Sequence, residues 1–152
     1  MFASHANNVP VALLSEPLRS NLGVDGTSIV LGPPTGYVVK FTNGLVAYLS
    51  GDTGVHTEMK TVVNELHKAN LAVLNFGSSA MTVASAAYAM NKLVRPASVI
   101  VSHPNEAVTE GGKLRPTSRT AALVTQLKPA PHLAISGRTM EFDGKGKCVK
   151  GC

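Results

Sequence analysis

With 44% hydrophobic and only 15% charged residues among 152, the chain has the composition of a folded globular unit rather than a disordered one. It has the length of one domain, which ordinarily buries roughly 70% of its unfolded surface. The formal charge of +5 invites an anionic partner, but the basic residues are scattered, aromatics make up 5% and Trp is absent. No basic stripe or stacking platform for nucleic acid is therefore expected.

No run approaches the ~20 apolar residues of a membrane-spanning helix, and no basic-then-apolar start marks a signal peptide. The expectation is a protein with no membrane and no nucleic-acid partner. Its compartment is open: cytoplasmic by default, periplasmic or secreted if a leader precedes residue 1.

Taken in order, residues 9–14 alternate poorly between Pro10 and Pro17 and read as irregular or as a brief edge strand. Residues 15–34, rich in Ser, Asn, Gly and Pro, read as a long loop, either a pocket wall or a floppy insertion. Residues 36–41 and 45–50 are strand-like and joined by Thr42-Asn43-Gly44, a strong hairpin signal. The second of these runs stops at Gly51-Asp52-Thr53-Gly54.

Residues 55–69 place Met59, Val62, Val63, Leu66 and Ala69 at helical spacing, which predicts an amphipathic helix covering a sheet. Residues 71–76 form a strand-length apolar run. Thr82 can cap a helix that Pro96 terminates, and residues 97–101 make a strand ending at Ser102-His103. Strand, helix, strand, helix, strand implies an α/β fold with parallel pairing through right-handed crossovers. Residues 105–116 read as a polar loop, 118–127 as a helix, and 133–135, 138–142 and a last run to Val149 as short strands.

The chemistry concentrates at strand ends. A buried strand that delivers Asp52 to its carboxyl edge is how an α/β sheet presents a ligand-binding or catalytic group. His103 ends another apolar run, and His5 lies near the start. Two imidazoles and a carboxylate suit a borderline divalent cation such as Zn²⁺. His56 and His67 fall on the helix of 55–69, eleven residues apart, too far for a shared ion at ~1.5 Å per residue. His132, between Pro131 and a strand, reads as structural.

Lys113, Arg115 and Arg119 cluster with Ser118 at the start of the last main helix. They read either as a seat for an anionic substrate group or as a solvated basic loop. Cys148 and Cys152 match neither a CxxC redox motif nor a zinc knuckle; they are a disulfide if Gly151 turns the chain, or two free thiols.

Gly51-Asp52-Thr53-Gly54, the following helix and strand, the helix around Ala86-Ala87-Tyr88-Ala89, Lys92-Leu93-Val94-Arg95-Pro96 and the strand ending in Ser102-His103 together resemble the C-terminal half of a metallo-β-lactamase-fold hydrolase. The nearest likeness is to the branch that includes ascorbate-phosphate lactonases. The resemblance implies one partial domain over 1–152, half of an αβ/βα sandwich. It implies His5 as a ligand of a first metal, Asp52 as the bridging ligand and His103 on a second, with one or two Zn-type ions in the complete site. The implied activity is hydrolysis of an ester, lactone or phosphoester of a small, anionic substrate by a metal-bound hydroxide.

That family's HxHxDH motif belongs upstream of His5 and does not occur in the chain. The expected partner is accordingly a second copy of the chain or a complementary N-terminal half. The alternative function is a non-catalytic α/β fragment, or a subunit that acts only by assembly.

Overall fold

A computed structural model describes residues 35–77 and 81–152, together with the backbone of two short strands, β1 (Asn8–Pro10) and β2 (Ser28–Val30). β1 and β2 pair antiparallel, Val9 opposite Ile29. The expected loop of 15–34 thus contributes a strand at Ser28–Val30; its other residues, and the pocket wall assigned to them, lie outside the described residues apart from these.

The centre is a five-stranded sheet of order β3 (Tyr37–Lys40), β4 (Val46–Leu49), β5 (Leu71–Asn75), β6 (Ser98–Ser102) and β9 (His132–Leu133). β3 and β4 form the expected antiparallel hairpin. Its turn is closed by Phe41 N–H to Leu45 O at 2.8 Å, and Asn43 Oδ1 accepts from Leu45 N–H. Gly44 sits at φ +94°, a conformation that disfavours any side chain. From β4 onward the pairing is parallel, Tyr48 beside Ala72 and Ala72 beside Val99. β9 extends β6 in the same sense, with His132 opposite Ile100.

Helices make the three parallel crossovers, the third of them, from β6 to β9, through residues 119–126. Helix α1 (Met59–Leu66) is wound more widely than an α-helix, and its exit is marked by His67 N–H reaching Val62 O. It is shorter than the expected 55–69 because a turn at Thr57 feeds it, with Met59 N–H on His56 O. Helix α2 (Val83–Tyr88) opens with a reciprocal cap: Thr82 Oγ1 accepts from Ser85 N–H and Ser85 Oγ accepts from Thr82 N–H. It continues as a wider-wound segment over Ala89–Val94 and ends at Arg95, in the left-handed region at φ 54°, just before Pro96.

Beyond β6, the polar stretch expected to be a loop contains a small hairpin, β7 (Thr109–Glu110) and β8 (Lys113–Leu114), turned by Gly111 and Gly112 at positive φ. Helix α3 (Arg119–Gln126) follows the Ser118 cap. A last hairpin pairs β10 (Glu141–Phe142) with β11 (Cys148–Lys150).

One buried cluster holds these layers together. Tyr48, Ala72, Leu74, Val99 and Val101 on the sheet pack with Met59, Val63, Ala86, Ala87, Met90 and Leu123 on the helices. The opposite sheet face is different. Tyr37, Leu49, Val73 and Ile100 follow one another in register across four strands, Tyr37 and Leu49 exposed and Val73 and Ile100 half-buried. One face is therefore a core and the other a partly open apolar row. No helix among the described residues is long and apolar enough to cross a membrane.

Leu74 is fully buried and Leu66 is 66% exposed. In chemical denaturation Leu74→Ala should cost about 2–5 kcal/mol, while Leu66→Ala should stay within about 0.5 kcal/mol of the parent.

Candidate metal centre at the carboxyl edge of the sheet

Three neighbouring parallel strands end at the same level, and each end is fastened to the next. Ser50, fully buried after β4, donates its N–H to Val73 O at 3.0 Å, and its Oγ accepts from Asn75 N–H at 2.8 Å. Phe76 N–H then donates to Ser102 O at 2.9 Å, and Ser102 Oγ donates back to Leu74 O at 3.2 Å. Gly51 follows at φ +61°, and a Cβ there would run into the Thr35 carbonyl. Thr53, buried, closes the turn through Oγ1 to Ser50 O at 3.0 Å. Asp52 is the residue this turn leaves exposed.

The convergence of strand ends is visible at Gly77, beyond β5. A Cβ built there would lie 3.2 Å from Asp52 Oδ1, 3.3 Å from Asn75 Oδ1 and 3.4 Å from His103 Cδ2. Asp52 and His103, separated by fifty residues of sequence, thus border one small space, and the absence of a side chain at residue 77 keeps it open. Asn75 Oδ1 is held by Gly77 N–H at 3.1 Å. Among the described residues, neither the Asp52 carboxylate nor the His103 imidazole takes part in a hydrogen bond or ion pair.

His103 occupies the left-handed region at φ 49°, and Asn105, after Pro104, does so at 54°. Such backbone is costly for a residue with a side chain and is tolerated where the surroundings impose it. Beside His103 lies a cavity of about 160 Å³ lined by Pro104, Val108, Thr120 and Leu133. His5, the third expected ligand, lies outside the described residues.

The basic cluster has a different arrangement from the expected anion seat. The first N–H groups of α3 are occupied from within: Glu106 Oε2 accepts from Arg119 N–H at 2.9 Å, and Oε1 accepts from Thr120 N–H and Thr120 Oγ1, both at 2.7 Å. Ser118 Oγ takes Ala121 N–H. Arg119 donates to Met81 O at 2.9 Å and stacks 4.4 Å over the Phe76 ring, while Lys113 and Arg115 are exposed. An external anion at this helix end would have to displace Glu106. Sequence reading missed Glu106; its position twelve residues before Ser118, across a hairpin, gave no local capping signal.

Burial alone would raise the Glu106 pKa, but the Thr120 hydroxyl, the two helix N–H groups and the Arg119 charge outweigh it and pull the carboxyl below its usual range. The Tyr48 phenol, buried under the sheet, is pushed up to about 12 chiefly by desolvation.

His56 and His67 do not lie on an exposed helix face. His56 precedes α1 with its side chain 8% exposed, 3.0 Å from Glu58 Oε2 but without hydrogen-bond alignment, and burial is the largest cause of its lowered pKa. His67 closes α1 with a buried Nδ1 that has no partner. Both histidines are drawn inward by the packing of α1, which their polar neighbours in sequence do not reveal.

No family model matches the sequence. Curated proteins do. A UPF0173 metal-dependent hydrolase of Polynucleobacter asymbioticus is 34% identical over 112 residues, 73% of this chain and 38% of that protein. One of Roseiflexus castenholzii is 36% identical over 80 residues, 52% of this chain and 32% of its own length. Among solved structures, Igni18, a metallo hydrolase from the hyperthermophilic archaeon Ignicoccus hospitalis, superposes with a TM-score of 0.50 at 26% identity, covering 78% of this chain and 46% of that one.

The chain is similar to part of a metal-dependent hydrolase. It spans well under half the length of the relatives it matches, and these likenesses agree with the metallo-β-lactamase-fold resemblance carried by the Asp52 turn and the His103 strand.

Because the Glu106 carboxyl is held ionised by α3, its contribution is complete above the ordinary carboxylate pKa of ~4.3 and disappears as pH falls through the lower folded value. Glu106→Gln should therefore lower stability by about 1 kcal/mol at neutral pH. The gap to the parent should narrow in denaturant titrations carried out below about pH 4.

Proposed function

We propose that this chain supplies one sheet-and-helix half of a metal-dependent hydrolase, with Asp52 and His103 as its metal-holding residues. The observation that carries the reading is the shared space over Gly77, bordered by a carboxylate and an imidazole that have no protein partner among the described residues. A carboxylate and an imidazole are a fitting donor pair for a divalent cation of the zinc class. His5 would be the third donor from this chain. Such a cation, when bound, supplies Lewis acidity and lowers the pKa of a coordinated water.

The chain's own groups have distinct tasks. The Ser50 and Ser102 hydrogen bonds fix the strand ends, so Asp52 and His103 are presented without a large rearrangement. Asn75, with its Oδ1 anchored on Gly77 N–H, leaves its amide NH₂ on the same rim as a donor for a substrate carbonyl or phosphoryl oxygen. The cavity beside His103 is apolar on its Pro104, Val108 and Leu133 walls and fits the uncharged part of a small ester, lactone or phosphoester. Gly77, with no side chain, keeps open the space bordered by Asp52 Oδ1, Asn75 Oδ1 and the His103 ring edge at Cδ2.

Assembly is part of the same reading. The partly open row Tyr37, Leu49, Val73, Ile100 lies on the face opposite the helices, and exposed apolar surface of this kind favours a covering layer. A complementary half that brings the HxHxDH ligands would cover that face and complete the donor set; a second copy of this chain would cover it without supplying them. The non-catalytic alternative corresponds to the second case.

Native mass spectrometry with added Zn²⁺ tests the centre. With the Cys148–Cys152 disulfide kept intact, the parent should take up metal and Asp52→Ala should lose it; retention by the oxidised Asp52 variant would remove the basis of the reading. Gly77→Ala offers a sharper check. Its Cβ would press on side-chain atoms at 3.2–3.4 Å, so metal affinity should fall at least about tenfold while the unfolding midpoint stays within a few degrees.

A further inference from the structure

A second cluster of metal-ligating atoms gathers at His132, the first residue of β9, remote in sequence from the Asp52 turn. His132 enters the sheet beside Ile100, and the edge-on Phe142 ring, 5.5 Å away at 70°, fixes its plane. Phe142 pairs in register with Cys148. Gly151 then takes φ +76° against the Thr139 carbonyl, where a Cβ would not fit, and this turn brings Cys152 back to Cys148. The two cysteines are joined as a disulfide with Cα atoms 6.4 Å apart. One ring nitrogen of His132 and both sulfurs all lie within 4.8 Å of one another.

We propose that the reduced Cys148–Cys152 pair and His132 form a thiophilic metal site of the Zn²⁺ class, distinct from the centre at Asp52 and closed by disulfide formation. The ligand chemistry fits: two thiolates and one imidazole bind zinc tetrahedrally, with Zn–S of about 2.3 Å and Zn–N of about 2.0 Å, leaving a fourth position for water. Cysteines four residues apart are within the spacing that structural zinc sites use. The sulfurs need only separate to about 3.8 Å, the edge of a tetrahedron with those bond lengths. Cys152 is exposed and can make that adjustment about the Gly151 turn, while Cys148 and His132 are half-buried and keep their places on paired strands. The His132 nitrogens have no hydrogen-bond partner among the described residues, so ligation breaks no bond of the imidazole; the two sulfurs would give up only their long contacts to Lys150 O, at 3.4 and 3.6 Å.

Opening the site requires a reductant of the thiol or phosphine class. The S–S bond breaks and two electrons and two protons yield two thiols; a thiol reductant supplies both and is oxidised to its own disulfide, while a phosphine is oxidised to a phosphine oxide with water supplying the oxygen and the protons. A divalent cation then displaces the two thiol protons. In the oxidised chain neither sulfur is a thiolate and the imidazole alone is a weak ligand, so the metal is held only in the reduced form. His132 reads as structural in the sequence because it sits between Pro131 and a strand; its two partners lie sixteen and twenty residues further on, in and just after the second strand of the last hairpin.

Cobalt substitution tests the site on the full chain, because only sulfur ligands give an intense thiolate-to-Co²⁺ charge-transfer absorption. With phosphine reductant the parent should show that band and the oxidised chain should not. Cys152→Ser, an exposed position whose change leaves the core intact, should abolish it; His132→Ala should weaken Co²⁺ affinity at least about tenfold. Asp52→Ala should leave the band unchanged, which separates this site from the first. Absence of the band in the reduced parent, or undiminished affinity in the His132 variant, overturns the proposal.

Discussion

Ser50 is the point on which the arrangement turns. A serine with no exposed surface must satisfy its hydrogen-bonding groups internally. Here its amide binds Val73 O, its hydroxyl receives Asn75 N–H, and its carbonyl receives the Thr53 hydroxyl. Those bonds tie the end of β4 to the end of β5 and set the turn in which Asp52 stands. The Ser102 hydroxyl repeats the device between β6 and β5. Three strand ends tied at one level hold Asp52, Gly77 and His103 around one small space.

The layers beneath follow the same economy. Helices α1, α2 and α3 share one buried cluster with Tyr48, Leu74 and Val101, so the helix-side face of the sheet is closed. The other face presents Tyr37 and Leu49 to solvent. On that same face Ala47, Leu71 and Ser98 are buried, so the open part is the row nearest the carboxyl edge. The matched relatives are more than twice as long as the part this chain covers.

Glu106 shows how a charge can be supplied internally. A helix start flanked by Lys113, Arg115 and Arg119 has the composition of an anion site, yet the anion there is a carboxylate of the same chain. Arg119 is drawn away to Met81 O and the Phe76 ring, next to the Gly77 space.

The sequence by itself determined the order of the central strands and the helices, the Asn43-Gly44 hairpin, the Thr82 cap and the stop at Pro96, but not the short strands at Ser28–Val30, Thr109–Glu110 and Lys113–Leu114. The former follow from local periodicity, turn chemistry and backbone sterics, which act over a few residues. It also marked Asp52 and His103, because an apolar run ending in a polar group is itself a local pattern. Only the tertiary structure decided that these two face one space over Gly77, that Glu106 fills the start of α3, that α1 carries His56 and His67 inward, and that His132 meets Cys148 and Cys152. Each of those depends on which strand lies beside which and in what register, a choice made by burying the common core and invisible to any window of neighbouring residues.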